Sequence, residues 1–539
     1  MSDYDYVVVG AGSAGCVLAA RLSEDPSVRV LLVEAGGRDK SMFVHFPAGV
    51  GKLISPEKIA PENWGYYTVP QKHMNGRELY WPRGRVLGGS SSINGMVYIR
   101  GHESDYDRWA QKGATGWGWS DVLPYFQKSE DSERGATDYH GAGGPLHTSK
   151  RSLDHPLLRA FLKAGEQMGL PLTDDFNGPQ FEGVGRYDST TNNGKRWSTA
   201  AAYLEPAKQR ANLDILTDAA VERVLFSGKR ATAIGYRKDG KSEIASGREI
   251  ILAGGAVNSP QTLMLSGIGP ADHIKSHGLD VIHDLPAVGE NLQDHLDLLC
   301  QWTIDQPISL NKNAKLSNQL KALGSWLLKK SGTGSYIPTS AGAFLSTREG
   351  LAAPDIQLHL LPGISNPHGR GGLDGTLHGF VLHICQLRPE SRGTIRLASH
   401  DPAVHPLIDP NYLSAPEDLE VLLAGLEMTR EFGRPPAFQA YGAKEVWPGE
   451  GLEDKGALTE KIRNWGETIY HPVGTCRMGS DAEAVVDVDC KVKGVSGLRV
   501  VDASVMPTLI SGNTNAPTIM IAEKVADAIL LDRKMALAA

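Results

Sequence analysis

The sequence predicts an α/β fold in two parts. One is a two-nucleotide-fold domain with a Rossmann-like βαβ unit and a β-meander; the other is an α+β substrate-binding domain with an antiparallel sheet. Three observations predict it. The chain opens on YDYVVVGAGSAGCVLAARLSEDPSVRVLLVEAG, where two apolar runs flank a glycine turn and a helical pattern from Ser13 to Leu22. The stretch from Leu213 to Ala256 alternates strand-like runs with turn signals at Ser227-Gly228 and Asp239-Gly240, then ends in the buried run IILAGG. From about Asp294 to Trp465, strand-like and helical patterns (DIQLHLLPG, GFVLHICQL, DLEVLLAGLEMTREF) alternate without a further nucleotide loop. Residues 1–295 and 470–539 are therefore assigned to the nucleotide domain, discontinuous and with substrate-domain insertions, and 296–469 mainly to the substrate domain.

Each element follows from its residues. Gly10, Gly12 and Gly15 follow the first apolar run. At this spacing the first glycine allows a tight turn, the second lets backbone approach a pyrophosphate, and the third lets helix pack on strand. Ser13 and Ala14 open the helix, whose amino end faces phosphate. A plain glycine turn shares the spacing, but here strand, helix, second strand and a terminal acid about 20 residues on all coincide. That acid, Glu34, is followed by Ala35 and favours an unphosphorylated ribose, hence FAD or NAD over NADP. The meander tilts the choice to FAD, since two-nucleotide-fold flavoproteins insert one and simple NAD dehydrogenases usually do not. Near the carboxyl end, LRVVDASVMPTLISGNTNAPTIMIAEKVADAILL reads as a strand, a loop and an amphipathic helix that complete the nucleotide domain.

Composition narrows the partners. A net charge of −7 over 539 residues gives no broad basic field, which disfavours nucleic acid or an anionic membrane as the principal partner and favours a small molecule. Cys16, Cys300, Cys385, Cys476 and Cys490 are odd in number and free of any CxxC pair, against both a disulfide framework and a metal site. The first strand begins too early for a signal peptide, and no run approaches about 18 apolar residues. The reading is cytoplasmic, with peripheral attachment at the inner membrane and homo-oligomer formation left open.

The stretch GRVLGGSSSINGMVY, residues 84 to 98, carries no acid and no metal ligand. A flavin must keep one face of N5 and C4a free for hydride arrival, so backbone rather than side chains should approach it. Gly88, Gly89, Ser90 and Ser91 let the main chain pass close, and Asn94-Gly95 permits a left-handed tight turn. A mobile Gly/Ser loop is the alternative.

Residues 84 to 107, GRVLGGSSSINGMVYIRGHESDYD, resemble the first motif of the glucose-methanol-choline (GMC) oxidoreductases. GAVNSPQTLMLSGIG, from Gly255 to Gly269, resembles the second, with Thr262 where that motif prefers an aliphatic residue. The resemblance runs on through VGENLQDH (Val288 to His295) and YHPVGTCRMG (Tyr470 to Gly479) to the final helix, closest to the bacterial alcohol and choline dehydrogenase branch. It implies FAD with the Asn94 and Gly95 backbone beside N5 and C4a, and with Met96 and Val97 alongside. Val221 would offer backbone to the adenine, Asp502 and Ala503 would lie near the pyrophosphate and ribityl chain, and Arg85 would sit on the phosphate side. Some relatives carry a histidine bonded to the flavin at the position matching Ile93, and isoleucine cannot form that bond, so the FAD is expected to be noncovalent.

The resemblance places His471 over the flavin as catalytic base. Its reference pKa of about 6.5 suits that role at pH 7. An alcohol near ~15.7 leaves a gap of roughly nine units, near 12 kcal/mol at about 1.36 kcal/mol each, too steep for alkoxide formation unaided. Proton removal is then coupled to hydride departure, or hydrogen bonds hold the oxyanion. Asn515, in an N-cap-like place with Pro517 and Thr518 in the first turn of the last helix, is the candidate for that support. The helix amino end there would favour the reduced, anionic flavin at N1 and C2=O.

For the substrate, choline-oxidising relatives place a glutamate in an E-A-G segment, where this chain has TSAGAF with Ser340. A hydroxyl cannot balance a quaternary cation, so an uncharged, primary alcohol is expected. His359 is read as a substrate-side histidine or as a strand residue satisfied by a neighbouring carbonyl, and Ile469 and Tyr470 as pocket lining. The expected function is FAD-dependent alcohol oxidation to the aldehyde, with a quinone or O2 as acceptor. A choline dehydrogenase-like enzyme, an oxidase, a hydroxynitrile-lyase-like enzyme and a noncatalytic flavin-binding protein are the alternatives.

Overall fold

The computed structural model describes residues 3–150, 153–337, 339–364 and 376–538. Among them, one seven-stranded sheet is centred on Tyr4–Val9, which pairs in parallel with Val30–Val33 on one side and with the end of Lys241–Leu252 on the other. Leu213–Leu216 extends the sheet beyond Val30–Val33, and Leu498–Val500 adds a parallel strand beside Ile250 to Leu252. The central strands Tyr4–Val9 and Val30–Val33 are short and largely apolar, with side chains buried on both faces, as a covered parallel sheet requires. Helix Ser13–Leu22 follows the first strand with the predicted bounds. A side chain at Gly15 would place its Cβ 1.8 Å from the Gly10 carbonyl oxygen, so only glycine lets this helix seat on its turn.

The meander is formed by Ala219–Ser227, Arg230–Lys238 and Lys241–Leu252, all antiparallel. Asp239 and Gly240, both at positive φ, make the two-residue turn that matches strand twist. The last of these strands is long because it serves two sheets in succession. Its first half pairs back on the meander, and from Gly247 onward it pairs with Tyr4 to Val9.

The second sheet runs Lys444–Trp447, Leu296–Thr303, Gly379–Gln386, Ile356–Leu361, Ala341–Leu345, Gly183–Arg186, Leu172–Thr173. It is antiparallel except for the last pair. Its final two strands come from far upstream, so a segment of the amino-terminal half crosses over to complete it.

The closing helix, Asn515–Ala538, differs from the amphipathic expectation: it is buried nearly all round through its first half. It packs against Ser13–Leu22 and Trp119–Ser129. Its fully buried Glu523 is held by Arg21 and by the Tyr203 hydroxyl at 2.8 Å each, which gives that carboxylate partners inside the core. No helix among the described residues is long and apolar enough to cross a membrane. The five cysteines are free and buried.

Candidate active site

A cavity of about 650 Å³ opens between the carboxyl ends of the parallel strands and the second sheet, where ligands of doubly wound folds bind. Gly10, Gly12, Ser13 and Ala14 line one end of it, together with Glu34, Ala35 and Val221. Glu34 is buried and accepts the backbone N–H of Ala11 at 2.8 Å and of Gly36 at 2.9 Å. Burial outweighs those bonds and pushes its carboxyl up to about 7. Further along lie Arg85, Gly89 and Ser90, then Asn94, Gly95, Met96 and Val97. Asp502, Ala503, Asn515 and Thr518 face the same space.

The main chain fits a flat ring. A Cβ on Gly95 would meet no atom within 4 Å and one on Gly12 only the Ala253 carbonyl at 3.9 Å, so at both places bare backbone faces open cavity. The left-handed turn expected at Asn94-Gly95 falls elsewhere, on Gly88, Gly89 and Met96. Asn94 makes this possible by accepting the Met96 N–H on its side chain at 3.1 Å. Beneath the loop, buried Arg196 donates to the Asn94 carbonyl and to Asn94 Oδ1 at 2.7 Å each and to the Val44 carbonyl at 2.8 Å. No carboxylate stands among its partners in the described residues, and burial lowers its guanidinium to about 9.

Gly15, Gly88 and Pro517 do not line the cavity. Gly15 and Gly88 shape the turn from behind, Gly88 by donating its N–H to the Ala11 carbonyl at 2.7 Å. Pro517 sits in the first turn of the closing helix. Asp502 ties the second glycine segment to the floor, accepting from Gly255 N–H at 2.9 Å and Ser259 Oγ at 2.5 Å.

At the far end, His471 is buried and presented by an unusual backbone. Tyr470 before it has φ +72°, and Pro472 follows. Such a conformation persists only when its surroundings hold it. Here the Tyr470 carbonyl accepts from Arg83 at 2.7 Å, the Tyr470 N–H donates to Thr468 Oγ1 at 2.8 Å, and the His471 N–H donates to Asp294 at 2.7 Å. Burial raises the Asp294 carboxyl to about 6 despite bonds from Thr468 and Tyr412.

The ring of His471 has partners on both nitrogens. Its Nδ1 lies 2.9 Å from Nδ1 of His295, whose Nε2 lies 3.1 Å from the Leu387 carbonyl. A carbonyl can only accept, so His295 carries its proton on Nε2. His295 is buried and held neutral, its pKa lowered to about 4 by burial, so its Nδ1 is a bare acceptor. His471 must therefore carry its proton on Nδ1, which turns its Nε2 lone pair toward the cavity as an acceptor. That nitrogen receives Asn513 Nδ2 at 3.2 Å. Burial first, then the nearby His295, His359 and Arg83, lower the His471 pKa well below 6.5.

Asn515, the expected partner of His471, turns the other way. Its Oδ1 accepts from Ser13 Oγ at 2.7 Å, and Thr514 rather than Asn515 stands before the helix. Positions 513 and 515 therefore serve different partners as the chain enters the helix, and of the two only Asn513 reaches His471.

Among the substrate-side expectations, His359, Ile469 and Tyr470 line the cavity and Ser340 does not. Ser340 turns its hydroxyl back to the Ile337 carbonyl at 2.6 Å, leaving Thr339 at the wall. His359 Nε2 is buried without a hydrogen-bond partner among the described residues, so no strand carbonyl there satisfies that nitrogen. Burial, with smaller contributions from His383 and His295, lowers its pKa to about 3. His383, beside it on the sheet, lines the cavity and meets Asp297 at 2.7 Å. Asn513, His295, His383 and Asp294 are functional candidates that sequence reasoning passed over. The asparagine doublet NTN and the DH pair ending VGENLQDH were the available signals.

A parallel sheet, bare backbone facing an open cavity and a buried neutral histidine at the cavity's end are the geometry of a cofactor-dependent oxidoreductase. The chain belongs to the GMC oxidoreductase family, whose amino-terminal domain matches residues 4–297 and whose carboxyl-terminal domain matches residues 389–522. It is 47% identical to the mitochondrial choline dehydrogenase of Homo sapiens over 98% of this chain and 90% of that protein. It is 46% identical to the alcohol dehydrogenase [acceptor] of Pseudomonas putida over 99% and 97%. In three dimensions it resembles the crystal structure of pyridoxine 4-oxidase from Mesorbium loti with a TM-score of 0.88 at 32% identity, covering 98% of this chain and 99% of that one.

Proposed function

We propose that the protein is an FAD-dependent dehydrogenase that oxidises an uncharged primary alcohol to its aldehyde. The observation that carries the reading is the pair His471 Nε2 and Asn513 Nδ2, 3.2 Å apart in the cavity wall. A bound flavin supplies the hydride acceptor. His471 Nε2 takes the hydroxyl proton, and Asn513 Nδ2 donates to the alcohol oxygen as its charge develops. Nδ1–H of His471 keeps its bond to His295 throughout, so the ring does not turn as it gains a proton. Because His471 is a weaker base than free imidazole, proton removal alone is still more uphill than the reference value implies. The hydrogen bond from Asn513 and the concurrent loss of hydride from the carbon that bears the hydroxyl, which turns the oxygen into a carbonyl, offset that cost.

The noncovalent reading is supported by Ile93, which lines the cavity and packs with Val44 and Leu53, with no nucleophile in its place. An uncharged substrate is supported by the carboxylates of the cavity wall. Among the described residues these are Glu34, Glu222 and Asp502, all from the nucleotide half. Asp297, which meets the cavity-lining His383 at 2.7 Å, is engaged by that ring. Choline is the second reading, favoured by the human relative's name and identity.

Anaerobic mixing of the flavin-loaded protein with a series of alcohols and with choline is the test. Bleaching of the flavin absorbance by neutral primary alcohols, lost in His471→Ala with flavin still bound, is expected. Bleaching by choline alone would replace the substrate reading, and no bleaching by any alcohol would remove the redox reading. Peroxide formed in air at the rate of turnover would make the enzyme an oxidase.

A further inference from the structure

Helix Leu316–Lys329, LSNQLKALGSWLLK, is built inside out. Its one fully buried side chain is Trp326, which stacks near Phe46 with ring centroids 5.0 Å apart and donates to the Gly194 carbonyl at 2.7 Å. Leu316, Leu320, Leu323 and Leu327 follow one another at steps of four, three and four and so share one stripe of the helix. Apart from half-buried Leu323, that stripe faces outward: Leu316, Leu320 and Leu327 are 68%, 58% and 52% exposed, and Leu328 beside it is 86% exposed.

The charge around this row is one-signed. Lys312, Lys315, Lys321 and Lys329 lie around it, Lys330 places its ammonium 3.8 Å from the Trp326 ring centroid, and no Asp or Glu occurs between Asp305 and Glu349. In a chain of net charge −7 this is a local reversal. Two further exposed apolar side chains, Met42 and Phe43, belong to the short helix Met42–His45, which Phe46 joins to Trp326. The next residues of that segment reach the cavity, since Val50 and Ile54 line it.

We propose that this helix is an interfacial anchor that lies on an anionic lipid bilayer, its leucine row in the boundary between headgroups and acyl chains. A row of leucines flanked by lysines is the pattern of helices that lie in that plane, the apolar side entering the lipid and the ammonium groups meeting lipid phosphates. A second copy docked on the same face would set lysine against lysine, which charge repulsion opposes. Seated in this way, the segment that carries Val50 and Ile54 stands next to the membrane, and the cavity wall is within a short step of molecules dissolved in lipid. The anchor does not depend on the reaction assigned to His471.

Flotation of the flavin-loaded protein with vesicles tests it, using phosphatidylcholine alone and phosphatidylcholine mixed with phosphatidylglycerol. The wild type is expected to float with the mixed vesicles and to be released by salt. The double variant Leu320→Gln with Leu327→Gln is expected to lose at least tenfold in binding while its melting temperature and its rate with water-soluble alcohols stay unchanged. Lys321→Gln with Lys329→Gln should weaken binding to the mixed vesicles only. Failure of the wild type to float, or equal flotation of the leucine variant, would overturn the proposal. So would a wild-type dimer in sedimentation equilibrium that the leucine variant converts to monomer, because a second copy would then be the occupant.

Discussion

Nδ1 of His295 and Nδ1 of His471 lie 2.9 Å apart with their rings nearly perpendicular, and the Leu387 carbonyl behind His295 decides which of the two nitrogens carries the shared proton. In the mechanism we propose, His295 is thus a positioning residue for His471. Replacing it by leucine leaves Nδ1–H of His471 without an acceptor, so its proton spreads over both nitrogens. The expected loss in anaerobic flavin reduction is on the order of 10². His295→Asn, whose Oδ1 falls where Nδ1 was, should recover most of that rate. Equal rates in the leucine and asparagine variants would leave His295 with a packing role only.

The two asparagines of NTN are expected to separate cleanly. Asn513→Ala removes the donor at His471 and should lower kcat/KM by roughly 10²–10³, as loss of one oxyanion donor does. Asn515→Ala removes the bond to Ser13 and should act on flavin retention, with turnover of the flavin-saturated enzyme little changed. The check is steady-state kinetics with excess FAD; the reverse ranking would return the catalytic role to Asn515.

Acid should act late on catalysis and early on stability. The folded pKa of His471 lies well below 6.5, so the base stays neutral and kcat/KM is flat as pH falls through 6.5. His295, near 4, and His359, near 3, are depressed in the same sense. The unfolded chain takes up protons at these histidines from pH 6.5 downward while the folded site refuses them, so unfolding free energy drops over that range. Urea midpoints and kcat/KM measured against pH would expose a base titrating near 6.5 if there is one.

Arg196 holds the Asn94 loop from beneath through main-chain carbonyls. Arg196→Met should leave a folded protein whose FAD dissociates at least about tenfold more readily, a shift of roughly 1.4 kcal/mol, read from released FAD fluorescence on dilution. Unchanged retention would mean that the loop keeps its shape without the guanidinium.

His140 bridges Glu130 at 3.0 Å and Asp175 at 2.8 Å, and Arg100 completes the group on Glu130 at 2.6 Å. Burial alone would lower the His140 pKa, but the bonds to Asp175 and Glu130 prevail and raise it to about 9. A folded value above the unfolded 6.5 means stabilisation complete below pH 6.5 and lost as pH rises toward 9. His140→Asn should flatten the decline in stability across that window, measured by thermal melts in a pH series. An equal decline in both proteins would assign it to other groups.

Much of the fold was legible because local rules and tertiary structure agree there. The apolar run before Gly10, the helix Ser13–Leu22 and the Asp239-Gly240 turn are each dictated within a few residues of chain. The site was harder, since its geometry turns on differences that composition does not carry. Asn513 and Asn515 are chemically identical, and only the direction of the chain entering its last helix decides which one meets His471. Gly95 was the obvious left-handed residue, yet Met96 takes that conformation because Asn94 and Arg196 support it, and Gly95 is needed bare for another reason. Burial all round the closing helix depends on Arg21 and Tyr203, distant in sequence, reaching Glu523. The outward leucines of Leu316–Lys329 have helical spacing that reads like any core stripe until neighbours are in place.

The strand Leu498–Val500 and the helix from Asn515 are the pieces that close the nucleotide sheet and brace its first helix. Both lie more than 450 residues after the Gly10 turn they complete. The growing chain therefore carries its Gly10 turn unbraced until that distant segment has been made, and a cradle for flavin cannot be complete before then.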